Sequence, residues 1–231
     1  ITAGAFGNRV KCWGAAINGQ LGDGRTGLHG EPATVLLAPN AGVTTTTLSA
    51  SPGASSYGQP VTLTATVFNG NAPTGFVEFS ANDFYIAGCE SVALTGGQAQ
   101  CATSALPIGT NTLKATYGGD TGNAASSGTL SYEVTRATVT LTITAHTPDP
   151  SAVLSPVMVS VALVVAPGTG TPTGTVAVSR GVDGCTTTLP ATSCSFSPSV
   201  AGTAAIAAQY GGDANFAPQS ATTVSHTATA L

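Results

Sequence analysis

The chain spells out one pattern twice. Tyr117-Gly118-Gly119-Asp120 returns 93 residues later as Tyr210-Gly211-Gly212-Asp213, and Pro73-Thr74-Gly75 returns as Pro172-Thr173-Gly174. Cys89 and Cys101 return as Cys185 and Cys194. A period of about ninety residues is too long for a solenoid unit, which needs neighbours to bury its face. It suits two complete domains, each with its own core. Three segments follow: a Gly-rich stretch over residues 1–40 that holds Trp13, a first copy over 43–135 and a second over 137–231. The junction Thr135-Arg136-Ala137 has neither Pro nor a Gly/Ser run and is too short for a flexible tether, so limited swing between the copies is expected.

Within the first copy, Val61, Leu63, Ala65 and Val67 alternate with Thr62, Thr64 and Thr66. A period of two marks a strand with one buried and one wet face. The matching stretch of the second copy puts Val157, Val159, Val161 and Leu163 on one face. Its other face carries Met158, Ser160, Ala162 and Val164, apolar enough to be read as buried on both sides or as facing a partner. Further strands pair off: Val77 and Phe79 with Val176 and Val178, and Leu113, Ala115 and Tyr117 with Ile206, Ala208 and Tyr210. Leu48 and Ala50 are matched to Leu141 and Ile143 at the same offset of 93. Gly, Pro, Asn and Asp separate the runs, and no stretch sustains a helical period. Many short strands per copy predict an antiparallel β-sandwich.

Charge excludes one class of partner. Charged residues make up 7% of the 231, with six Lys and Arg and a net charge of -4. No basic patch can form for phosphate contacts, so nucleic acid is not an expected partner. The patterned apolar residues argue against disorder despite the low charge. The longest apolar stretch, over residues 157–166, is about half a bilayer span, so membrane insertion of this stretch is not expected. Five cysteines point to an oxidising compartment. With no initiator Met and no signal-peptide pattern, the chain reads as a piece of a larger exported protein.

The string Gly58-Gln59-Pro60-Val61-Thr62-Leu63-Thr64-Ala65-Thr66-Val67, then Pro73-Thr74-Gly75, then Ala115-Thr116-Tyr117-Gly118-Gly119-Asp120, resembles the bacterial Ig-like repeat domains. The second copy keeps Pro172-Thr173-Gly174-Thr175-Val176 and Tyr210-Gly211-Gly212-Asp213-Ala214-Asn215-Phe216. Such domains occur in tandem in large secreted and cell-surface proteins. The first forty residues are similar to something else. Ile1-Thr2-Ala3-Gly4, Val10-Lys11-Cys12-Trp13-Gly14 and Asn18-Gly19-Gln20-Leu21-Gly22-Asp23-Gly24 resemble one repeat of the regulator-of-chromosome-condensation type β-propeller. One shortened repeat cannot close a propeller. The resemblance therefore implies further repeats upstream in the full protein, and a Cys12 whose usual partner is missing, leaving a free thiol.

The remaining candidates are weighed on chemistry. Cys89 and Cys101 lie 12 apart, Cys185 and Cys194 lie 9 apart, and each pair flanks a turn, at Gly96-Gly97 and Pro190-Ala191. Without Cys-x-x-Cys spacing or a nearby His, a metal site is disfavoured. Each pair is read as a structural disulfide pinning neighbouring strands, a closure of about 3 kcal/mol on the chain-entropy account. Asp120 and Asp213, after Gly-Gly and followed by Asn123 and Asn215, offer oxygens for calcium. The absence of an acidic series favours a turn in which Asp bonds its own backbone. His29, His146 and His226 share no neighbourhood in sequence, and His146 and His226, near the first and last strands of the second copy, are read as solvent-facing or packed strand residues unrelated to one another. Gly19 to Gly24 lacks the Gly-Lys-Ser/Thr of a phosphate loop, and Trp13 reads as packing rather than a sugar platform.

The expectation is an all-β chain: two tandem Ig-like antiparallel sandwiches after a short propeller-type segment. It is not an enzyme, with no catalytic residue, cofactor or metal ligand assigned. Its expected role is a structural spacer in a secreted or cell-surface bacterial protein, presenting a distal element beside neighbouring domains. The alternative is an adhesin-like module that binds an extracellular protein or glycan through residues 82–87 or 157–165. An accessory domain of an extracellular hydrolase is the third reading.

Overall fold

The computed structural model describes the backbone of residues 2–6, 9–16 and 27–34, and backbone and side chains over 41–230. The N-terminal unit is an antiparallel meander of β1 (Thr2–Phe6), β2 (Arg9–Ala16) and β3 (Gly27–Thr34), with Thr2 opposite Trp13 and Ala16 opposite Gly27.

The first copy runs β4 (Thr45–Ser51), β5 (Ser55–Ser56), β6 (Val61–Phe68), β7 (Phe76–Ala81), β8 (Phe84–Tyr85), β9 (Val92–Ala93), β10 (Gln98–Thr103), β11 (Gly109–Tyr117) and β12 (Ser126–Thr135). They form two facing sheets, β10-β6-β4 and β5-β12-β11-β7-β8, with β9 paired to β7. Alternation decides the faces. Val61, Leu63, Ala65 and Val67 of β6 are buried while Thr62 and Phe68 are exposed. They meet Val77, Phe79, Leu113, Ala115 and Tyr117 from the opposite sheet. Each such Val or Leu contributes about 1.5–3 kcal/mol by leaving water.

The second copy repeats the plan with β13 (Val139–Thr147), β14 (Ser151–Ala152), β15 (Val157–Val165), β16 (Thr175–Arg180), β17 (Asp183–Thr188), β18 (Ser193–Phe196), β19 (Gly202–Tyr210), β20 (Gln219–Ser220) and β21 (Val224–Thr229). Its sheets are β13-β15-β18 and β14-β21-β19-β16-β17, with β20 on β19. Its core gathers Leu141, Val159, Val176, Ile206, Tyr210 and Phe216 in a cluster separate from the first. In both copies the opening strand lies in one sheet and its short continuation, β5 or β14, crosses to the other, where it pairs in parallel with β12 or β21.

Two sequence expectations shift. Met158 and Val164 of β15 are 50% and 58% exposed, so that strand is buried on one face only. Leu48 faces Ala65 of β6 as Ile143 faces Val161 of β15, so Leu48 corresponds to Ile143 and not to Leu141. A bulge between Ile143 and Ala145 adds one more residue to the offset, and the 93-residue spacing holds between β11 and β19 and in the Tyr-Gly-Gly-Asp loop that follows each.

The two copies touch directly. Ala137 is fully buried, donates to the carbonyl of Asn215 at 2.9 Å and accepts from the N–H of Ala217 at 2.9 Å. Tyr57 of the first copy packs edge-on against Phe216 of the second, ring centres 5.9 Å apart. Glycine is required here. A Cβ on Gly58 would strike the Thr169 carbonyl, and one on Gly168 would lie 2.9 Å from the Tyr57 carbonyl.

Candidate functional site

The repeated Tyr-Gly-Gly-Asp loops are built around their carboxylates. Asp120 accepts from the N–H and hydroxyl of Thr74 at 2.9 and 2.8 Å, from the Gly122 N–H at 2.8 Å and from the Asn123 amide at 2.9 Å. Asp213 accepts from the N–H and hydroxyl of Thr173, both at 2.7 Å, and from the N–H groups of Asn215 and Phe216, both at 2.8 Å. Each aspartate thus ties the Pro-Thr-Gly loop to its own turn, and both oxygens are occupied by protein donors. The preceding Gly119 and Gly212 adopt φ of +84° and +80°, and a Cβ on Gly119 would sit 2.8 Å from the Asn123 carbonyl. The Thr74 N–H first, then the Asn123 amide, the Thr74 hydroxyl and the Gly122 N–H hold Asp120 well below the usual carboxylate range. For Asp213 burial opposes ionisation, yet the Thr173, Asn215 and Phe216 bonds outweigh it and bring the group to about 2. The neighbouring phenols move the other way. Burial, with the adjacent aspartate, raises Tyr117 and pushes Tyr210 to about 12.

The cysteines bond as Cys89–Cys101 and Cys185–Cys194, each with Cα atoms 5.9 Å apart. The sequence places each pair between neighbouring strands without saying which sheets those strands join. Cys185 lies on β17 and Cys194 on β18, which belong to opposite sheets. Cys101 lies on β10, while Cys89 accepts the Phe79 N–H of β7 across the sandwich at 3.0 Å. Each disulfide joins the two sheets along one side. The turn between the cysteines is where the chain changes sheet, which spacing alone does not reveal.

Sequence reasoning missed a third feature. His146 at the end of β13 and His226 in β21 come together, Nδ1 to Nδ1 3.4 Å, with rings edge-on at 81°. Asp149, in the connection from β13 to β14, lies 3.2 Å from His226 Nδ1 and 3.9 Å from His146 Nδ1. The Thr227 N–H holds the Asp149 carboxylate at 3.0 Å, and the buried Ser151 hydroxyl lies 3.0 Å from His226 Nε2. His226 is 0% exposed, His146 18% and Asp149 37%, so the group opens to solvent on one side. Burial favours the neutral His226 ring; Asp149 opposes, and Arg180 and His146 add to burial, so its pKa falls. The expectation of unrelated histidines is therefore corrected. The usable signal was topological: His146 lies near the first strand of the second copy and His226 near the last, and those strands meet at a sandwich edge.

The order Ser151–His226–Asp149 mimics a hydrolase relay. Ser151 is buried, however, and a hydroxyl without exposure cannot meet a substrate carbonyl. Elsewhere, Phe84 and Tyr85 form an exposed hairpin tip, at 79% and 64%, beside an open cavity of about 450 Å³ lined by Asn82, Ile86, Leu106 and Pro107. The side chains of Cys12, Trp13 and His29 and the segment Gly19 to Gly24 lie outside the described residues.

No curated protein matches the chain. Among solved structures, the chain is similar to the fibronectin(III)-like modules of Clostridium thermocellum CbhA, at 18% identity, covering 79% of this chain and 94% of that one, with a TM-score of 0.33. It is similar to the Escherichia coli adhesin FdeC at 14% identity, 87% and 71% coverage and a TM-score of 0.34. It is similar to the Yersinia pseudotuberculosis adhesin InvE at 14% identity, 78% and 58% coverage and a TM-score of 0.36. The sequence match is narrower and firmer: residues 46–135, the first of two like-built sandwiches in an all-β chain, match the bacterial Ig-like domain (group 3) family.

Proposed function

We propose that the chain is a non-catalytic spacer of a secreted or cell-surface bacterial protein, its Ig-like domains bounded at 43–135 and 137–231, holding a distal element away from its anchor. The observation that carries this reading is the junction. Ala137 is hydrogen-bonded into the second sandwich, and Tyr57 reaches across onto Phe216, so the two bodies share packed contacts in place of a tether. The two disulfides favour an oxidising, extracellular setting. On sequence resemblance, residues 1–40 are read as one propeller-type repeat, for which the flanking sequence is the test. Small-angle scattering of the full chain tests the spacer: one fixed orientation of the sandwiches is expected, loosened by Tyr57→Ala. A broad distribution of orientations in the unmodified chain would refute it.

The adhesin-like reading has its own support in the exposed Phe84–Tyr85 tip beside the cavity, since aromatic faces stack on sugar rings and anchor protein contacts. A glycan and matrix-protein screen tests it. Saturable binding lost in Phe84→Ala and Tyr85→Ala would favour this role, and no binding would leave the spacer.

A further inference from the structure

We propose that His146, Asp149 and His226 form a binding site for a divalent ion of the zinc class, with two imidazole nitrogens and one carboxylate oxygen as ligands and a further position open to solvent. The first argument is distance. Ligands held about 2.0–2.1 Å from zinc at the tetrahedral angle stand about 3.3 Å from one another. The two Nδ1 atoms stand 3.4 Å apart, and Asp149 Oδ1 is 3.2 Å from His226 Nδ1. The third pair is looser, with Asp149 Oδ2 3.9 Å from His146 Nδ1, and one ligand atom from each of the three residues lies within 4.8 Å of the others, so a small rotation of the half-buried His146 and the exposed Asp149 side chains completes the set.

The second argument is the outer shell. A ligating histidine needs its other ring nitrogen held by an oxygen, which fixes the tautomer and the ring. Ser151 Oγ provides that at His226 Nε2. With Nε2–H donating to Ser151, Nδ1 turns its lone pair toward Asp149 and His146. The Thr227 N–H, next to His226 in the chain, holds the ligating Asp149 oxygen. Pro148 and Pro150 flank Asp149 and limit the backbone freedom of its turn. The Asp149 carboxylate offsets the charge of Arg180 toward an arriving cation.

The third argument is internal comparison. By strand register, His226 opposite Ala204 in β19 corresponds to Tyr132 opposite Asn111 in β11, and His146 opposite Val159 corresponds to Ala50 opposite Leu63. Ser151 corresponds to Ser55, which places Asp149 level with Gly53. In the first copy this corner is closed by Tyr132, whose hydroxyl donates to the Pro52 carbonyl at 3.1 Å. The fold thus has a plain way to fill the corner. The second copy instead carries a potential ligand at all three positions, one of them fully buried. That arrangement goes beyond what a spacer needs, and it does not depend on the spacer reading.

The test is calorimetric titration of the full chain with zinc chloride after EDTA treatment, with Cys12 alkylated. Equimolar, saturable binding is expected, and cobalt chloride should give the intense visible absorption of a tetrahedral complex. His146→Ala and Asp149→Asn, both on the solvent side, should keep the wild-type circular dichroism spectrum and melting temperature. Each should weaken zinc by more than about tenfold, since even an outer partner is worth about 10–100-fold. Absence of saturable binding, wild-type affinity in either variant, or a weak octahedral cobalt spectrum would overturn the site.

Discussion

The aspartate tie at Asp213 makes a prediction whose size and pH dependence both follow from geometry. Asp213→Asn keeps one acceptor oxygen and turns an NH2 group toward two N–H or O–H donors. The carboxylate accepts four hydrogen bonds of 2.7–2.8 Å from Thr173, Asn215 and Phe216. Bonds to a charged acceptor contribute about 1.5–3 kcal/mol net. Linkage gives a second route: a fall from the ordinary 3.8 to about 2 corresponds to about 2.5 kcal/mol, which solvent screening at this accessible loop reduces to about 1–1.5 kcal/mol. The expected loss at pH 7 is therefore about 2 kcal/mol. The sign is fixed, because the folded value lies below the open-chain one. The contribution is complete above about pH 4 and drains away as pH falls toward about 2. Urea unfolding with hydrogen exchange read on β19 peptides isolates the second sandwich. Wild type and variant should differ by about 2 kcal/mol at pH 7 and by less than about 1 kcal/mol at pH 2. An equal gap at both pH values would show that the carboxylate charge is not what holds the loop.

Further outcomes follow from the same structure. Replacing Cys185 and Cys194 together by Ser should lower the second sandwich by about 3 kcal/mol and leave the first unchanged, as read by calorimetry without reductant. Leu113→Ala empties a fully buried site between the sheets of the first copy and should cost about 2–5 kcal/mol in urea; Ile206→Ala should do the same in the second, and the two should add because the cores are separate. Gly119→Ala meets both a φ of +84° and a carbonyl 2.8 Å from the new Cβ, so it should cost more than the roughly 1 kcal/mol of a left-handed alanine alone. Thermal melts of that variant beside Gly118→Ala, where the Cβ meets open space, give the comparison.

What the sequence made legible was whatever depends on neighbours in the chain. The alternation in β6 announced its buried face residue by residue, because a strand's sidedness is a local property. The doubled Tyr-Gly-Gly-Asp showed its turn for the same reason. What stayed hidden depends on which strands lie side by side. His146 and His226 are 80 residues apart and meet only because the opening and closing strands share an edge. The cysteines were paired by their nearness in the chain, but whether their turn stays in one sheet or crosses to the other is not encoded in spacing. Of the two readings of the apolar outer face of β15, burial on both sides fails because Met158 and Val164 are core residues only by type, and the facing sheet covers one side of their own. At the junction, the role of Gly58 and Gly168 in letting two backbones approach appears only with the second body in place.

The parallel pairing of β5 with β12 and of β14 with β21 bears on how such a chain carries tension. In each sandwich, one partner lies close to where the chain enters and the other where it leaves. A pull on the two ends drags these partners past each other lengthwise. Bonds such as Tyr57 N–H to Thr135 and Val153 N–H to Thr229, each 2.9 Å, are then strained together and do not open one at a time. Once a sandwich yields, its cystine still withholds the loop between its cysteines from extension, so each module lengthens by a bounded amount before its neighbour takes the load.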